Sequence, residues 1–257
     1  MIKEKEIEID GLKINYKIGG EGFPFLILHG WGGSCDSWKK VIEILEKEFK
    51  IACLDFPGFG KSSFPPAAWS LNDFSNLVKK FTEKIGFEEF FLLGHSFGGR
   101  VAIKFVNFFP EKVKKLILIS SAGIKPTLNL KTKIIFWLAN WGNCIFSLRP
   151  FSQFKESARK IFYFFLRGKD YVKARGVMRE TMKKILAEDL SPFLSQIKKE
   201  TILIWGERDR VVPLKYGMIF KEKIENSKLI VLPKLGHSPH LENPQKLAEI
   251  LIEQLKS

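Results

Sequence analysis

Phe90-Phe91-Leu92-Leu93-Gly94-His95-Ser96-Phe97-Gly98-Gly99 is a short apolar run that halts at a glycine, turns through a serine and enters a helix-like stretch ending at Pro110. The serine has a glycine two residues away on each side. A nucleophile at the tip of so sharp a strand-to-helix turn sits in a strained backbone conformation. A Cβ at either flanking position would collide with the adjoining elements. Gly99 extends the slim face and lets the helix pack close to the strand. The pattern alone is common, but in this strand–turn–helix setting it marks Ser96 as the candidate nucleophile.

Working outward, further continuous apolar runs recur at Phe25–Leu28, Ile51–Leu54, Leu116–Ile119, Thr201–Trp205 and Leu229–Leu232. They lack polar alternation, which suits parallel strands buried on both faces. Glu6–Asp10 and Lys13–Ile18 alternate around Gly11 and read as an antiparallel hairpin at the sheet edge. Between the runs lie helix signals. Ser70-Leu71-Asn72-Asp73 predicts a capped helix running to about Ile85, and Asn243-Pro244 predicts the start of a C-terminal helix. A β-α-β-α rhythm of this kind gives an α/β three-layer sandwich with a mostly parallel sheet, its ligands beyond the carboxyl ends of the strands.

The rhythm breaks over residues 124–195, which hold no convincing strand and read as several helices. We therefore expect a core from 1–123 and 196–257, with 124–195 inserted as a helical cap over the active-site end. Ten aromatic residues lie between Ile134 and Phe165. Most should glue cap helices together, while Trp137, Trp141 and Phe146 are candidates to touch substrate, as is His29 at the end of its strand. No internal repeat is visible.

The 257 residues carry 42 Lys and Arg against 28 Asp and Glu, a net charge of +14. The cap segment holds 14 basic and 5 acidic residues, so it carries +9 of that excess. No nucleic-acid motif accompanies the charge, so nucleic acid is set aside as a partner. The basic, aromatic cap raises a second expectation, weak contact with an anionic membrane surface. No run reaches the roughly 18 apolar residues of a membrane span. Met1 is followed by charged residues rather than a leader, and Cys35, Cys53 and Cys144 are odd in number without metal-like spacing. These features fit reduced thiols in a cytoplasm.

A serine hydroxyl needs a base within hydrogen-bond reach, itself oriented by a carboxylate. The chain has four histidines. His95 should project away from its neighbour Ser96, and His240 reads as a residue packing the turn after the last strand. His237, behind the flexible Gly236, is the candidate base. The acid should end the preceding strand, where Gly206-Glu207-Arg208-Asp209 offers Asp209, with Glu207 as a rival nearer the strand end. Oxyanion donors are expected from the amide of Phe97, at the helix start, and from the turn His29-Gly30-Trp31-Gly32-Gly33, with the Trp31 amide preferred over Gly32. Gly58-Phe59-Gly60-Lys61-Ser62 is not a phosphate loop: Asp55 stands where a glycine is needed and Pro65-Pro66 follows instead of a helix. Asp55 reads as a turn-shaping residue.

With these residues assembled, the chain resembles the α/β-hydrolases. The order Ser96, Asp209, His237 matches that fold. So do the His29-Gly30 turn, Asp55 to Ser62, the Gly206–Asp209 acid turn, and Gly236-His237 with Glu242 and Pro244 downstream. The resemblance covers nearly the whole chain outside the cap, and it is specific for fold rather than substrate. It implies the subgroup of small esterases, carbon–carbon-bond hydrolases of ring-cleavage products, lactonases and cofactor-free haloperoxidases. Serine at position 96 argues against the epoxide hydrolase and dehalogenase chemistries of the same fold.

The expected activity is hydrolysis of small to medium apolar esters through an acyl-enzyme, without metal or cofactor. The rivals are carbon–carbon hydrolysis of diketone acids, with Arg149 or Arg159 holding a carboxylate, a lactonase or perhydrolase activity, and a non-catalytic binding scaffold. Oligomeric state is not legible.

Overall fold

In the computed structural model of the protein, which describes residues 1–125 and 176–256, the apolar runs pair into one eight-stranded sheet. Its strands are β1 (Lys3–Ile9), β2 (Leu12–Gly19), β3 (Pro24–Leu28), β4 (Lys50–Leu54), β5 (Phe90–His95), β6 (Val113–Ile119), β7 (Thr201–Gly206) and β8 (Ser227–Leu232), in the spatial order β1-β2-β4-β3-β5-β6-β7-β8. The β1–β2 and β2–β4 pairings are antiparallel, and every pairing from β4 onward through β3 to β8 is parallel. The hairpin between β1 and β2 turns through Asp10 and Gly11, at φ 50° and 76°. Two successive positive φ values match the twist of a two-residue hairpin, and Asp-Gly adopts them at little cost.

The continuous apolar runs are buried on both sides, as parallel strands require. In β3, Leu26 and Leu28 enter one core cluster while Phe25 and Ile27 enter the other. The described helices are α1 (Lys39–Leu45), α2 (Leu71–Lys84), α3 (Phe97–Phe108), α4 (Gly176–Ala187), α5 (Ser191–Leu194), α6 (Leu214–Lys223), α7 (Pro239–Glu242) and α8 (Pro244–Lys256). Residues of α1 and α8 fill the cluster on one face, and residues of α2 to α6 fill the cluster on the other. The sheet is thus the middle of three layers.

Helix starts follow the sequence signals. Ser70 caps α2 reciprocally with Asp73, whose carboxylate accepts from the Ser70 amide at 2.7 Å. Asn243 Oδ1 accepts from the Lys246 amide at 3.0 Å, ahead of Pro244 in the first position of α8. β6 and β8 each begin earlier than their apolar runs. Lys114, Lys115 and Lys228 occupy the extra turns of strand, and their exposed or half-exposed side chains hide those residues from a hydrophobic pattern.

Residues 126–175, including Trp137, Trp141 and Phe146, lie outside the described residues, and with them most of the expected cap. The described end of that segment is helical, in α4 and α5, and it is fastened to the core. Ile185, Leu190 and Leu194 belong to the main cluster. The buried guanidinium of Arg100 donates to the carbonyls of Ile185 and Glu188, both at 2.6 Å. The Trp69 amide donates to Thr181 Oγ1 at 3.0 Å.

Candidate active site

Ser96 stands between β5 and α3 with φ 51° and ψ −107°. A non-glycine residue at positive φ stores roughly 1–3 kcal/mol of strain, so neighbours must impose it. The backbone on either side does so. The Ser96 amide donates to Ile119 O at 3.0 Å, and its carbonyl accepts from the Ala122 amide at 3.2 Å, tying the turn to the end of β6. Packing closes the rest. A Cβ added at Gly94 would stand 2.5 Å from Gly98 O, and one added at Gly98 would stand 2.2 Å from Leu28 O. Backbone carbonyls occupy those places, so only hydrogen fits.

The carboxyl ends of β7 and β8 deliver the other two groups. His237 Nε2 accepts from Ser96 Oγ at 3.0 Å, and its Nδ1 donates to Asp209 Oδ2 at 2.8 Å. Asp209 is buried and divides its oxygens. Oδ1 accepts from the Val211 and Val212 amides, both at 2.8 Å, leaving Oδ2 for the imidazole. Burial pushes the Asp209 carboxyl up. The His237 hydrogen bond and charge and the Val212 amide outweigh it, so the group is held below its ordinary value. The rival Glu207 faces elsewhere: its Oε2 accepts from the Lys234 amide at 2.8 Å and braces the loop leading to His237.

That loop passes close under the acid turn. A Cβ at Gly206 would meet Gly236 O at 2.0 Å, so the glycine ending β7 is what lets the histidine loop approach. Around His237 the backbone is held by side chains. Glu242 Oε2 accepts from the Gly236 amide at 2.6 Å and Oε1 from the Ser238 amide at 3.0 Å. His95 reaches from behind, its Nε2 donating to His237 O at 2.9 Å. His240 is buried and stacks on Trp38, with ring centroids 4.3 Å apart and planes 5° apart.

The expected oxyanion turn is present in shape. Gly33 N donates to Gly30 O at 3.0 Å, closing a turn over Trp31 and Gly32, and Gly32 supplies the φ of 73° at the third position. It lies against Ser96, since a Cβ at Gly30 would be 3.4 Å from Ser96 Cβ. Phe97 opens α3, where amides lack intrahelical partners and the helix dipole is positive. The Trp31 and Phe97 rings meet edge to face at 5.4 Å, which fixes the two turns against each other.

His29 departs from expectation. Its ring is fully buried, Nδ1 donates to Gly30 O at 2.7 Å and Nε2 accepts from the Phe56 amide at 3.0 Å. Both nitrogens are committed to joining the Gly30–Gly33 turn to the loop after β4, which leaves nothing to offer a substrate. Burial lowers its pKa, against the opposing pull of the Gly30 carbonyl and Asp55. Asp55 shapes its loop by accepting from the Cys35 amide at 2.6 Å, the Lys61 amide at 3.0 Å and Asn15 Nδ2 at 2.9 Å.

Sequence reasoning named Glu242 only as part of the family pattern downstream of Gly236-His237, with no physical role, and it left His95 merely facing away. Beside that pattern, the local hint for Glu242 is a carboxylate four residues beyond a Ser-Pro helix start. For His95 no sequence signal exists, because its partner lies 142 residues away.

The chain belongs to the alpha/beta hydrolase fold family, whose model matches residues 24–143 and 180–244, more than half of the chain. Among curated relatives, a 2-hydroxy-6-oxononadienedioate/2-hydroxy-6-oxononatrienedioate hydrolase of Pseudomonas putida is 27% identical, over 95% of this chain and 92% of that one. The pimeloyl-acyl-carrier-protein methyl ester esterase of Wigglesworthia glossinidia brevipalpis is also 27% identical, over 91% of this chain and 94% of its own. Among solved structures, a bacterial membrane phospholipase A superposes with a TM-score of 0.76 at 23% identity, covering 99% of this chain and 86% of that one. No described helix is long and apolar enough to cross a membrane.

Proposed function

We propose that the protein is a serine hydrolase that cleaves carboxylic esters of small to medium apolar acids through Ser96, His237 and Asp209. The observation that carries this reading is the unbroken line from Asp209 Oδ2 through His237 to Ser96 Oγ, at 2.8 and 3.0 Å. In it His237 takes the hydroxyl proton as Ser96 Oγ attacks the ester carbonyl carbon, and Asp209 stabilises the imidazolium. The Phe97 and Trp31 amides receive the negative charge on the carbonyl oxygen. His237 then gives its proton to the leaving alkoxide, and an acyl-enzyme remains. Water, deprotonated by His237, attacks that acyl carbon, and the proton returns to Ser96 as the acid leaves.

The similarity to a methyl ester esterase supports the ester reading. A second reading, hydrolysis of a carbon–carbon bond in a diketone acid, is favoured by relatives named for that reaction, of which a 2-hydroxy-6-oxo-6-phenylhexa-2,4-dienoate hydrolase of Comamonas testosteroni at 26% identity is another. The test is a series of p-nitrophenyl esters from acetyl to palmitoyl, with Ser96→Ala as control and a diketone acid alongside. We expect Ser96-dependent turnover that peaks at one chain length. Turnover of the diketone acid with none of the esters would replace the first reading by the second, and full activity in Ser96→Ala would overturn both.

A further inference from the structure

The catalytic imidazole hangs from a stretch that touches the core at Leu235 but leaves Gly236, His237 and Ser238 outside it. Leu235, Gly236, His237 and Ser238 are all half-exposed, and the preceding Pro233 and Lys234 are exposed. A glycine directly before His237 adds backbone freedom. Yet the ring must meet Ser96 Oγ at 3.0 Å and Asp209 Oδ2 at 2.8 Å together. Something other than burial has to fix the backbone.

We propose that Glu242 is a positioning residue for His237, its carboxylate gripping the amides on both sides of the histidine while His95 holds the carbonyl between them. This rests on the reading of Ser96, His237 and Asp209 as the triad. The grip is bidentate: Oε2 accepts from Gly236 N at 2.6 Å and Oε1 from Ser238 N at 3.0 Å. Charge-assisted bonds of this kind are shorter and stronger than neutral ones, and two from one rigid group fix direction as well as distance. The His95 Nε2–H to His237 O bond, at 2.9 Å, comes from inside the fold. Three consecutive residues are therefore held at three backbone atoms.

The holders themselves are anchored. Glu242 ends α7, and its own amide donates to Ser238 O at 3.0 Å. The same short helix carries buried His240, stacked on buried Trp38. His95 packs edge-on against His240 with centroids 4.6 Å apart, so both arms of the clamp share one floor. Burial, together with the neighbouring His240 and His237, keeps His95 well below the ordinary histidine range, and it stays neutral. A neutral ring puts no second positive charge beside the imidazolium that forms during turnover.

The test replaces the exposed member first. Glu242→Gln keeps the size but turns an N–H toward a backbone N–H, which breaks one of the two bonds. With kcat counted per active site titrated by a fluorophosphonate probe, we expect it to fall about 10- to 100-fold, the scale of a misplaced catalytic group. The rate of inactivation by the probe should fall in parallel, while KM stays within about twofold and Tm within about 4 °C. His95→Phe keeps the ring and removes the donor, and it should lower kcat in the same way. A Glu242→Gln or His95→Phe protein whose loss vanishes on counting titrated sites, or only follows a fallen Tm, would show a merely structural role and overturn the proposal. So would wild-type kcat in both variants. If Ser96→Ala is inactive in the same assays, that failure touches the clamp alone. If Ser96→Ala is active, the triad reading fails first.

Discussion

Ser96 and His237 meet at 3.0 Å, yet the turns that present them are held on different physical terms. The serine turn is held by shape. Backbone carbonyls of Gly98 and Leu28 fill the places where side chains at Gly94 and Gly98 would go, and the strained serine is tied by its own amide and carbonyl to β6. The histidine turn is held by charge and hydrogen bonds from side chains: Glu242, Glu207 and His95 each grip its backbone. Steric confinement fails through folding, because a wrong atom has nowhere to go. Polar suspension fails through function, because a loosened loop still folds but aims the imidazole badly.

The largest effect that probes this contrast belongs to the histidine side. Asp209→Asn can keep accepting from the Val211 and Val212 amides, but its NH2 would face His237 Nδ1 and force the wrong tautomer. We expect kcat to fall about 10⁴-fold with the urea midpoint nearly unchanged. A joint loss of activity and stability would break the comparison. On the serine side, Gly98→Ala should act the other way. Its Cβ would stand 2.2 Å from Leu28 O, and overpacking against backbone should cost about 3 kcal/mol of unfolding free energy, read by urea denaturation. Wild-type stability there would show the turn to be less confined than its geometry says.

Acid sharpens the contrast next. Burial, then the charge of His237 and His29, pushes His240 down to about 4. The unfolded group takes its proton near about 6.5. Between those values the unfolded chain binds more protons, so this contribution to stability is complete above the unfolded value and is lost as pH falls toward the folded one. From His240 alone the loss at pH 5 should be about 2 kcal/mol. His240→Phe, which keeps the stack on Trp38, should flatten that part of a Tm–pH profile. An unchanged profile would show that His240 is not kept neutral by its site. The smallest effect is expected of Glu207→Ala, which frees the Lys234 amide on an exposed loop. About 1 kcal/mol of stability and a few-fold in kcat should be lost, and the ratio of those losses would place Glu207 between the two regimes.

The same contrast explains what could be read from sequence. Gly94, Ser96 and Gly98 are legible because shape constraints leave a single residue type at fixed local offsets. The strands were legible because a sheet covered on both faces demands unbroken apolar runs, and only ends such as Lys114-Lys115 and Ser227-Lys228 escaped. Asp209 and His237 could be proposed from their places after β7 and β8. The clamp could not: the sequence places Glu242 in a family pattern but gives it no task, and its role appears only once Gly236 and Ser238 are seen to point their amides at it. His29 failed for a related reason. Its place after β3 is near the chemistry, but whether an imidazole faces inward or outward depends on Phe56, which comes from another loop.

The bond between Ser96 and His237 spans 141 residues of chain, and that has a consequence in time. The sheet contacts that shape the serine turn come from β3, β5 and β6, all within the first half of the sequence. The histidine follows β8, which pairs only with β7 at the far edge. β7 in turn must pair with β6 across the whole inserted segment, Leu116 with Thr201, and pairings so distant in sequence form slowly. On the proposed triad, Ser96 is made long before His237 as the chain grows, and a serine without a base is a weak nucleophile. On that reading a growing chain carries its reactive group disarmed, and arms it only when the last strand docks.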